Sequence, residues 1–241
     1  MTAPTTPDAP KPPAAGGRGP TKKQQAWGLP AESEPRWPAS LAVVVCAALN
    51  YILPQAYTLG PSWFVPGLEL AIVIPLTAIA PRRVPRERRW SEIAAVVVIA
   101  VVSVANVASL VLLIRQLLYH GKDVTGLELL VSSAAIWVTN VVVFGLWYWE
   151  LDRGGPDARL RADHGPPDFL FPQMSTPGCT YEHWSPTFLD YLYVAFTNAT
   201  AFSPTDTMPL SRWAKSLMLV QAAASLLTVL IVASRAINIL G

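Results

Sequence analysis

The stretch IAAVVVIAVVSVANVASLVLLI, residues 93–114, decides the fold class of this chain. It runs for 22 residues without a charged side chain, and a helix needs about 20 such residues to cross a bilayer core. The whole sequence is 52% hydrophobic and only 14% charged, whereas about a quarter of a soluble domain is charged. The sequence therefore predicts an all-α integral membrane protein of the cell membrane that crosses the lipid bilayer several times.

Proline and glycine set the limits of the predicted spans. We expect Pro54 to kink the first helix, Gly60 with Pro61 to end it, and Pro81 to end the second. Ser211 is expected to cap the last helix. The predicted ranges are 39–59, 62–80, 91–118, 125–149 and 211–240, which give five transmembrane helices, or six if a short segment before the last one also crosses.

Composition divides the chain into four regions. Residues 1–37 are rich in Pro, Ala, Gly and Thr, and such a segment cannot bury enough apolar surface to fold, so it is predicted to be a disordered tail. Residues 38–149 hold a four-helix transmembrane region, and residues 150–185 form a polar loop. Residues 186–241 hold a short pore-helix-like segment, a turn and the final transmembrane helix.

Catalytic and metal-binding signatures are weak throughout the sequence. The two cysteines have neither a disulfide framework nor zinc-ligand spacing, and Cys179 with Glu182 and His183 is the one candidate metal cluster, a poor one. We find no nucleophile–base pair and no phosphate-binding loop. The sequence predicts no enzyme, no metal and no cofactor, and a net charge of +2 predicts no nucleic-acid partner.

Residues 185–200, SPTFLDYLYVAFTNAT, form a helix that is too short to span. Ser185 followed by Pro186 predicts a helix start, and the apolar side chains after it recur with helical spacing. About 14 helical residues reach only about 21 Å, against a bilayer core of roughly 30 Å. The segment is expected to be re-entrant, interfacial or buried in protein. A short fifth span inside an oligomer is the alternative.

The short helix, polar turn and apolar helix together resemble the pore module of potassium channels. The family pattern Y-F-S-F-V-T-L-T-T-V-G-Y-G-D lies without a gap over residues 193–206, where Tyr193, Phe196, Thr200 and Asp206 match. Residues 149–156 and 167–173 also resemble an uncharacterised family of bacterial multi-span membrane proteins. The resemblance implies a pore-loop module whose filter-like residues are Thr200, Ala201, Phe202, Ser203, Pro204, Thr205 and Asp206.

The filter-like segment departs from the potassium-channel pattern at both glycines. Ser203 and Thr205 replace them, and Pro204 lies between. Glycine permits the backbone that aims a row of carbonyls at a dehydrated ion, whereas proline fixes its own φ and restricts the residue before it. The sequence therefore predicts a homo-oligomeric, channel-like protein with a weakly selective path for partly hydrated monovalent cations.

A second interpretation of the same residues is that they form an ordinary turn at the membrane surface. The protein would then be a non-conducting membrane scaffold or accessory subunit. Glu69 lies inside the predicted second span, where an ionisable residue is costly and carries a functional hypothesis. It is expected to face a cavity, to bind a cation, or to be protonated or hydrogen-bonded to a neighbouring helix.

The positive charges predict a topology that conflicts with the resemblance. The tail and the arginine-rich loop 81–90 lie on one side, which the positive-inside rule places in the cytoplasm together with the N-terminus. The 150–185 loop then also lies in the cytoplasm, whereas the potassium-channel module enters from outside. Either residues 186–203 cross the bilayer, or the module is inverted or only superficially similar to that of potassium channels.

Overall fold

The computed structural model describes residues 36–79, 85–120, 125–159, 165–175, 184–200 and 206–240. The long helices are α1 Trp37–Ile52, α2 Phe64–Ile79, α3 Pro85–His120, α4 Gly126–Leu151 and α8 Arg212–Leu240. The shorter elements are α5 Pro156–Arg159, α6 Pro172–Ser175, α7 Phe188–Thr200, and the strands β1 Phe169–Leu170 and β2 Met208–Pro209. The tail 1–35, residues 81–84 of the arginine-rich loop and the filter-like residues 201–205 lie outside the described residues.

Three helices in the described part of the chain are long and apolar enough to cross a membrane. They are Glu92–Tyr119, Gly126–Gly154 and Arg212–Ser234, and they make the chain compatible with a membrane location. The predicted count of five to six spans is not confirmed. Helices α1 and α2 have 16 residues each, which corresponds to about 24 Å of helix.

The first helix ends earlier than the sequence predicts. Leu53 is extended, with φ −64° and ψ 135°, because the residue before a proline avoids the α-helical region. Pro54 therefore ends the helix rather than kinking it, and a single 3₁₀ turn follows at Gln55–Tyr57. The buried Tyr57 donates a hydrogen bond to the Glu128 carboxylate at 3.1 Å, which ties the α1–α2 link to the start of α4.

Two other helix starts differ from the predictions, and one is confirmed. Helix α3 begins at Pro85, so the last residues of the predicted loop form its first turns. Helix α7 begins at Phe188 rather than beside Ser185, because the Asp190 carboxylate accepts bonds from the Thr187 amide and hydroxyl at 2.7 and 2.8 Å. Ser211 caps α8 as predicted, since its hydroxyl accepts the Ala214 amide at 3.3 Å.

Helix α8 turns its polar side chains towards the protein. Gln221, Ser225 and Thr228 are buried against the other helices. The exposed side chains are Leu219, Val220, Leu226, Leu227, Val229 and Leu230. A helix with this polarity suits hydrocarbon surroundings, where interhelical contacts use small and polar residues and the lipid-facing surface is apolar.

Several segments meet at the end of the bundle where α4 finishes, which we call the loop end and define by residues 151–159 and 165–175. Arg36, before α1, pairs with Asp157 at 2.9 Å and lies over the Trp149 ring at 5.8 Å. Ala95, near the start of α3, lines a cleft there together with Arg36. The starts of α1 and α3 and the segment after α4 therefore share one end of the molecule.

Candidate functional site

Helix α7 lies against α4 and runs antiparallel to it. Phe188, at the start of α7, packs against Trp149 with ring centroids 6.0 Å apart. Phe196, two turns further on, packs against Trp137 at 5.8 Å. The two tryptophans are separated by about 18 Å along α4, at roughly 1.5 Å per residue. Helix α7 therefore begins at the loop end and reaches about half the length of α4.

A glycine permits the close approach of α4 and α7. A Cβ atom added to Gly145 would lie 3.1 Å from the Leu192 Cα and 3.2 Å from its Cδ1. Small residues at helix crossings allow two backbones to approach closely in membrane proteins. Gly145 is thus a packing residue that fixes where α7 lies on α4.

Gln221 is the centre of a buried hydrogen-bond network that joins α4, α7 and α8. Its Oε1 accepts bonds from the Tyr148 hydroxyl at 2.6 Å and from the Asn198 amide at 2.7 Å. Its Nε2 donates to the Ala195 carbonyl at 2.7 Å. The side chain is fully buried, and all these partners lie on the two neighbouring helices.

Ser225 and Asn198 extend the network to the end of α7. The Ser225 hydroxyl donates to the Ala199 carbonyl and accepts the Trp137 indole N–H, both at 2.6 Å. Asn198 also donates to the Met218 carbonyl at 2.9 Å. The Ala199 carbonyl belongs to the last helical turn, where no intrahelical partner exists. The network therefore fixes the residues immediately before the filter-like segment.

The chain that leaves α4 is held by a buried carboxylate. Asp152 Oδ2 accepts the Tyr191 hydroxyl at 2.6 Å, and Oδ1 accepts the Asp168 amide at 2.8 Å. Arg159 donates to the carbonyls of Trp149 and Asp152 at 2.7 and 3.1 Å. Burial raises the pKa of Tyr191 well above its ordinary value, so its hydroxyl stays protonated and donates. Asp152 thus joins the end of α4 to α7 and to β1.

Asp168 joins the same segment to the start of α8. Its carboxylate accepts the Arg153 amide at 3.0 Å and the Trp213 indole N–H at 2.9 Å, and its carbonyl accepts the Leu210 amide at 2.8 Å. Beside it, β1 pairs with β2 in antiparallel register, Phe169 opposite Pro209. The chain beyond Asp206 is therefore back at the loop end, where α7 begins.

The described parts of the filter-like segment are its two ends. Thr200 is half-buried, and its hydroxyl donates to the Thr197 carbonyl at 2.9 Å, so only the lone pairs of that oxygen remain for another group. Asp206 is exposed at the loop end. Ala201, Phe202, Ser203, Pro204 and Thr205 lie outside the described residues. The structure thus places Thr200 beside the middle part of α4 and Asp206 at the exposed loop end.

No family model, curated protein or solved structure matches this chain. The resemblance to potassium-channel pore modules therefore depends on the four matching residues and on the geometry around them. Tyr193 and Phe196 are both about half exposed on α7, although Phe196 also packs on Trp137. Thr200 and Asp206 bound the segment at either end.

Glu69 lies on α2 and faces α1, apart from the contacts of α4, α7 and α8. It is 1% exposed, and its Oε1 accepts the Asn50 side-chain amide at 3.1 Å. Its Oε2 has no hydrogen-bond partner within the described part of the chain. Asn50 also lines a crevice of about 10 Å³ with Thr58 and Ser109. The hydrogen bond to a neighbouring helix is thus present, and the structure does not bring Glu69 together with Thr200 and Asp206.

Glu150 is a buried acidic residue that the sequence analysis missed because it counted this position as the first of a polar loop. The structure continues α4 through it, to Leu151. The sequence signal that could have indicated its burial is the pair Gly154 and Gly155, which follows the end of α4. Gly155 has φ +101°, and a Cβ there would lie 2.8 Å from the Glu150 carbonyl oxygen, so the chain folds back tightly over the end of α4.

Proposed function

We propose that this chain is a multi-pass, channel-like membrane protein in which the α4–α7–α8 unit forms a pore-loop module with a weakly selective path for monovalent cations. One observation carries the proposal. Helix α7 starts at the loop end, extends about 18 Å along α4, and Asp206 is again at the loop end, held there by the pairing of β1 with β2. Entry and return at one end, around a short helix between two long ones, is the geometry that a pore loop requires.

The exposed surface of the unit supports a homo-oligomer. Leu189 and Tyr193 are 71% and 57% exposed on successive turns of α7. A helix that ends at half-depth leaves last-turn carbonyls without intrahelical partners, and hydrocarbon cannot satisfy them. Ser225 satisfies one of them, at Ala199. Further copies of the chain around α7 and α8 would shield the others from lipid.

The charges at the filter-like segment favour cations. The C-terminal end of α7 contributes partial negative charge, and Asp206 adds a full charge at the surface. A path lined by hydroxyls and turn backbone would accept a partly hydrated ion, which is distinguished by charge and size. Potassium and sodium would then pass at similar rates.

Flux measurements on purified protein in liposomes test the proposal. We expect cation flux under both potassium and sodium gradients, and Asp206→Asn should reduce it about twofold or more at low salt, and less at high salt. Glu128→Gln is the matched control, because this carboxylate binds Tyr57 at the opposite end. Strong potassium selectivity would contradict the argument from Ser203 and Thr205, and equal effects of the two variants would contradict the role of Asp206.

One observation favours a second function, the non-conducting scaffold. Where α7 meets α8, the side chains of Gln221, Asn198 and Ser225 form hydrogen bonds between the two helices. Their donors and acceptors are therefore used within the bundle. A protein that uses its intramembrane polar groups in this way can be a rigid platform for partners. Absence of flux from a stable oligomer, across varied voltage and pH, would favour this function.

The side of the membrane from which α7 enters is inferred from α3, because both helices begin at the loop end. If the arginines of residues 81–90 lie in the cytoplasm, then α7 enters from the cytoplasmic side, inverted relative to a potassium channel. In a background with Cys46→Ala and Cys179→Ala, we expect Arg86→Cys and Asp206→Cys to react with an impermeant reagent only after permeabilisation of cells. Labelling of either position in intact cells would contradict this orientation.

A further inference from the structure

A small cleft opens at the loop end between α1, α3 and α4. Its volume is about 50 Å³. Its walls are aliphatic and come from Ala39, Val43, Ala95, Val98, Ile99 and Leu146. Its polar lining comes from Arg36, Ser40 and Glu150, with Trp149 beside them. The cleft therefore combines an apolar groove with a polar end, and the polar end lies where α4 finishes.

One oxygen of the Glu150 carboxylate at this polar end lacks a hydrogen-bond donor. Glu150 is 4% exposed, and its Oε2 has no hydrogen-bond partner among the described residues. Buried polar groups nearly always have such a partner, and an unpaired buried carboxylate is costly. A donor that enters the cleft would remove this cost.

The two arginines near Glu150 are bound to other groups. Arg36, Arg159, Glu92 and Asp157 lie within electrostatic reach of its carboxylate. Arg36 is paired with Asp157 at 2.9 Å, and Arg159 donates to backbone carbonyls at the end of α4. Neither arginine has a described hydrogen bond to the Glu150 carboxylate, so its Oε2 still lacks a donor. A cationic N–H group is such a donor for a carboxylate, whereas a free phosphate, as an anion, is not.

We propose that the cleft binds the primary ammonium headgroup of a membrane amphiphile, in the form of an ethanolamine phospholipid whose acyl chain lies along the aliphatic walls. An ammonium group supplies three N–H donors to Glu150. The cleft of about 50 Å³ admits this compact group, whereas the trimethylammonium of choline carries no N–H and cannot donate a hydrogen bond to Glu150. Trp149 and Arg36 place the polar end among residues that favour the headgroup region of a bilayer. The proposal depends on a membrane location and not on conduction.

Lipid binding to the purified full-length chain in detergent tests the proposal. Short-chain ethanolamine, choline and glycerol phospholipids are titrated, with bound lipid counted by native mass spectrometry and the melting temperature followed in parallel. We expect the ethanolamine lipid to bind about tenfold tighter than the choline lipid, as a charge-assisted hydrogen bond predicts. Glu150→Gln should abolish that preference, and Asp206→Asn, an exposed carboxylate at the same end, should retain it.

A second variant separates the cleft from the charge. Ala95→Leu fills the groove and leaves Glu150 unchanged, so it should weaken binding of the ethanolamine lipid, and it decides the matter if Glu150→Gln does not fold. Equal binding of ethanolamine and choline lipids by the wild type would overturn the proposal, and so would a preference that survives in both variants. Free ethanolamine that binds as tightly as the lipid would overturn the assignment to a lipid. None of these outcomes depends on cation flux.

Discussion

Replacement of Gln221 by leucine removes the side chain that joins α4, α7 and α8 while nearly keeping its volume. Three hydrogen bonds are lost, to the Tyr148 hydroxyl, the Asn198 amide and the Ala195 carbonyl. Because Gln221 is fully buried, water cannot replace these bonds. The substitution therefore tests whether the network, rather than apolar contact alone, holds α7 in place.

The expected size of the effect follows from the number of bonds. An interhelical side-chain hydrogen bond in a membrane protein contributes about 0.6 kcal/mol on average and up to about 1.7 kcal/mol. Loss of three bonds should lower the free energy of unfolding by about 2 to 5 kcal/mol. Tyr148→Phe removes one of them and should cost about 0.6 to 1.7 kcal/mol.

Unfolding in mixed micelles, followed by circular dichroism, measures these changes. Gln116→Leu on α3 is the matched control, because its side chain makes none of the described hydrogen bonds, and it should change stability by about 0.5 kcal/mol or less. In the double variant, Tyr148→Phe should add little to Gln221→Leu, since the bond is already absent. Equal losses for the two glutamine variants, or additive losses for Tyr148 and Gln221, would refute the reasoning.

Three further predictions concern single residues. Gly145→Leu should lower the free energy of unfolding by about 1 to 3 kcal/mol, and by more than Gly145→Ala, because the larger side chain separates α7 from α4. Asp152→Asn should lower the free energy of unfolding by about 1 to 3 kcal/mol, because the N–H₂ group of the asparagine would face the donors from Tyr191 and the backbone and could not accept them. Limited proteolysis should then show faster cleavage within residues 165–175. Glu69→Gln should keep its bond to Asn50 and leave flux unchanged; lost flux with unchanged melting would make Glu69 functional.

The positions of the long helices could be predicted from the sequence because hydrocarbon thickness and helix rise constrain them strongly. The short helix before α8 could be predicted from its Ser-Pro start and the helical spacing of its apolar residues, and the structure gives it 13 residues. The ends of helices were less predictable where a neighbouring proline or a capping side chain changes the local backbone. Pro54 ended α1 through its effect on Leu53, and the Asp190 carboxylate moved the start of α7 beyond Ser185.

The buried polar contacts could not be predicted, because their partners are distant in the sequence. Asp152 and Tyr191 are 39 residues apart, and Tyr148 and Gln221 are 73 residues apart. Composition made residues 150–185 a polar loop, yet Asp152 and Arg159 are buried within it. A polar residue receives its environment from the elements that pack on it, and local periodicity carries no information about those elements.

The two topological signals that conflict in the sequence fit the structure together only if the proposed module is inverted. Arg36, the first described turns of α3 and the start of α7 lie at one end of the bundle, so the basic segments and the pore-loop-like entry share a side whichever side that is. An inverted module needs no sixth span, because the chain is back at the same end by Asp206 and the β1–β2 pair. In the proposed orientation, Asp206 lies at the cytoplasmic end of the module, and the C-terminal end of α7 points its partial negative charge away from the cytoplasm.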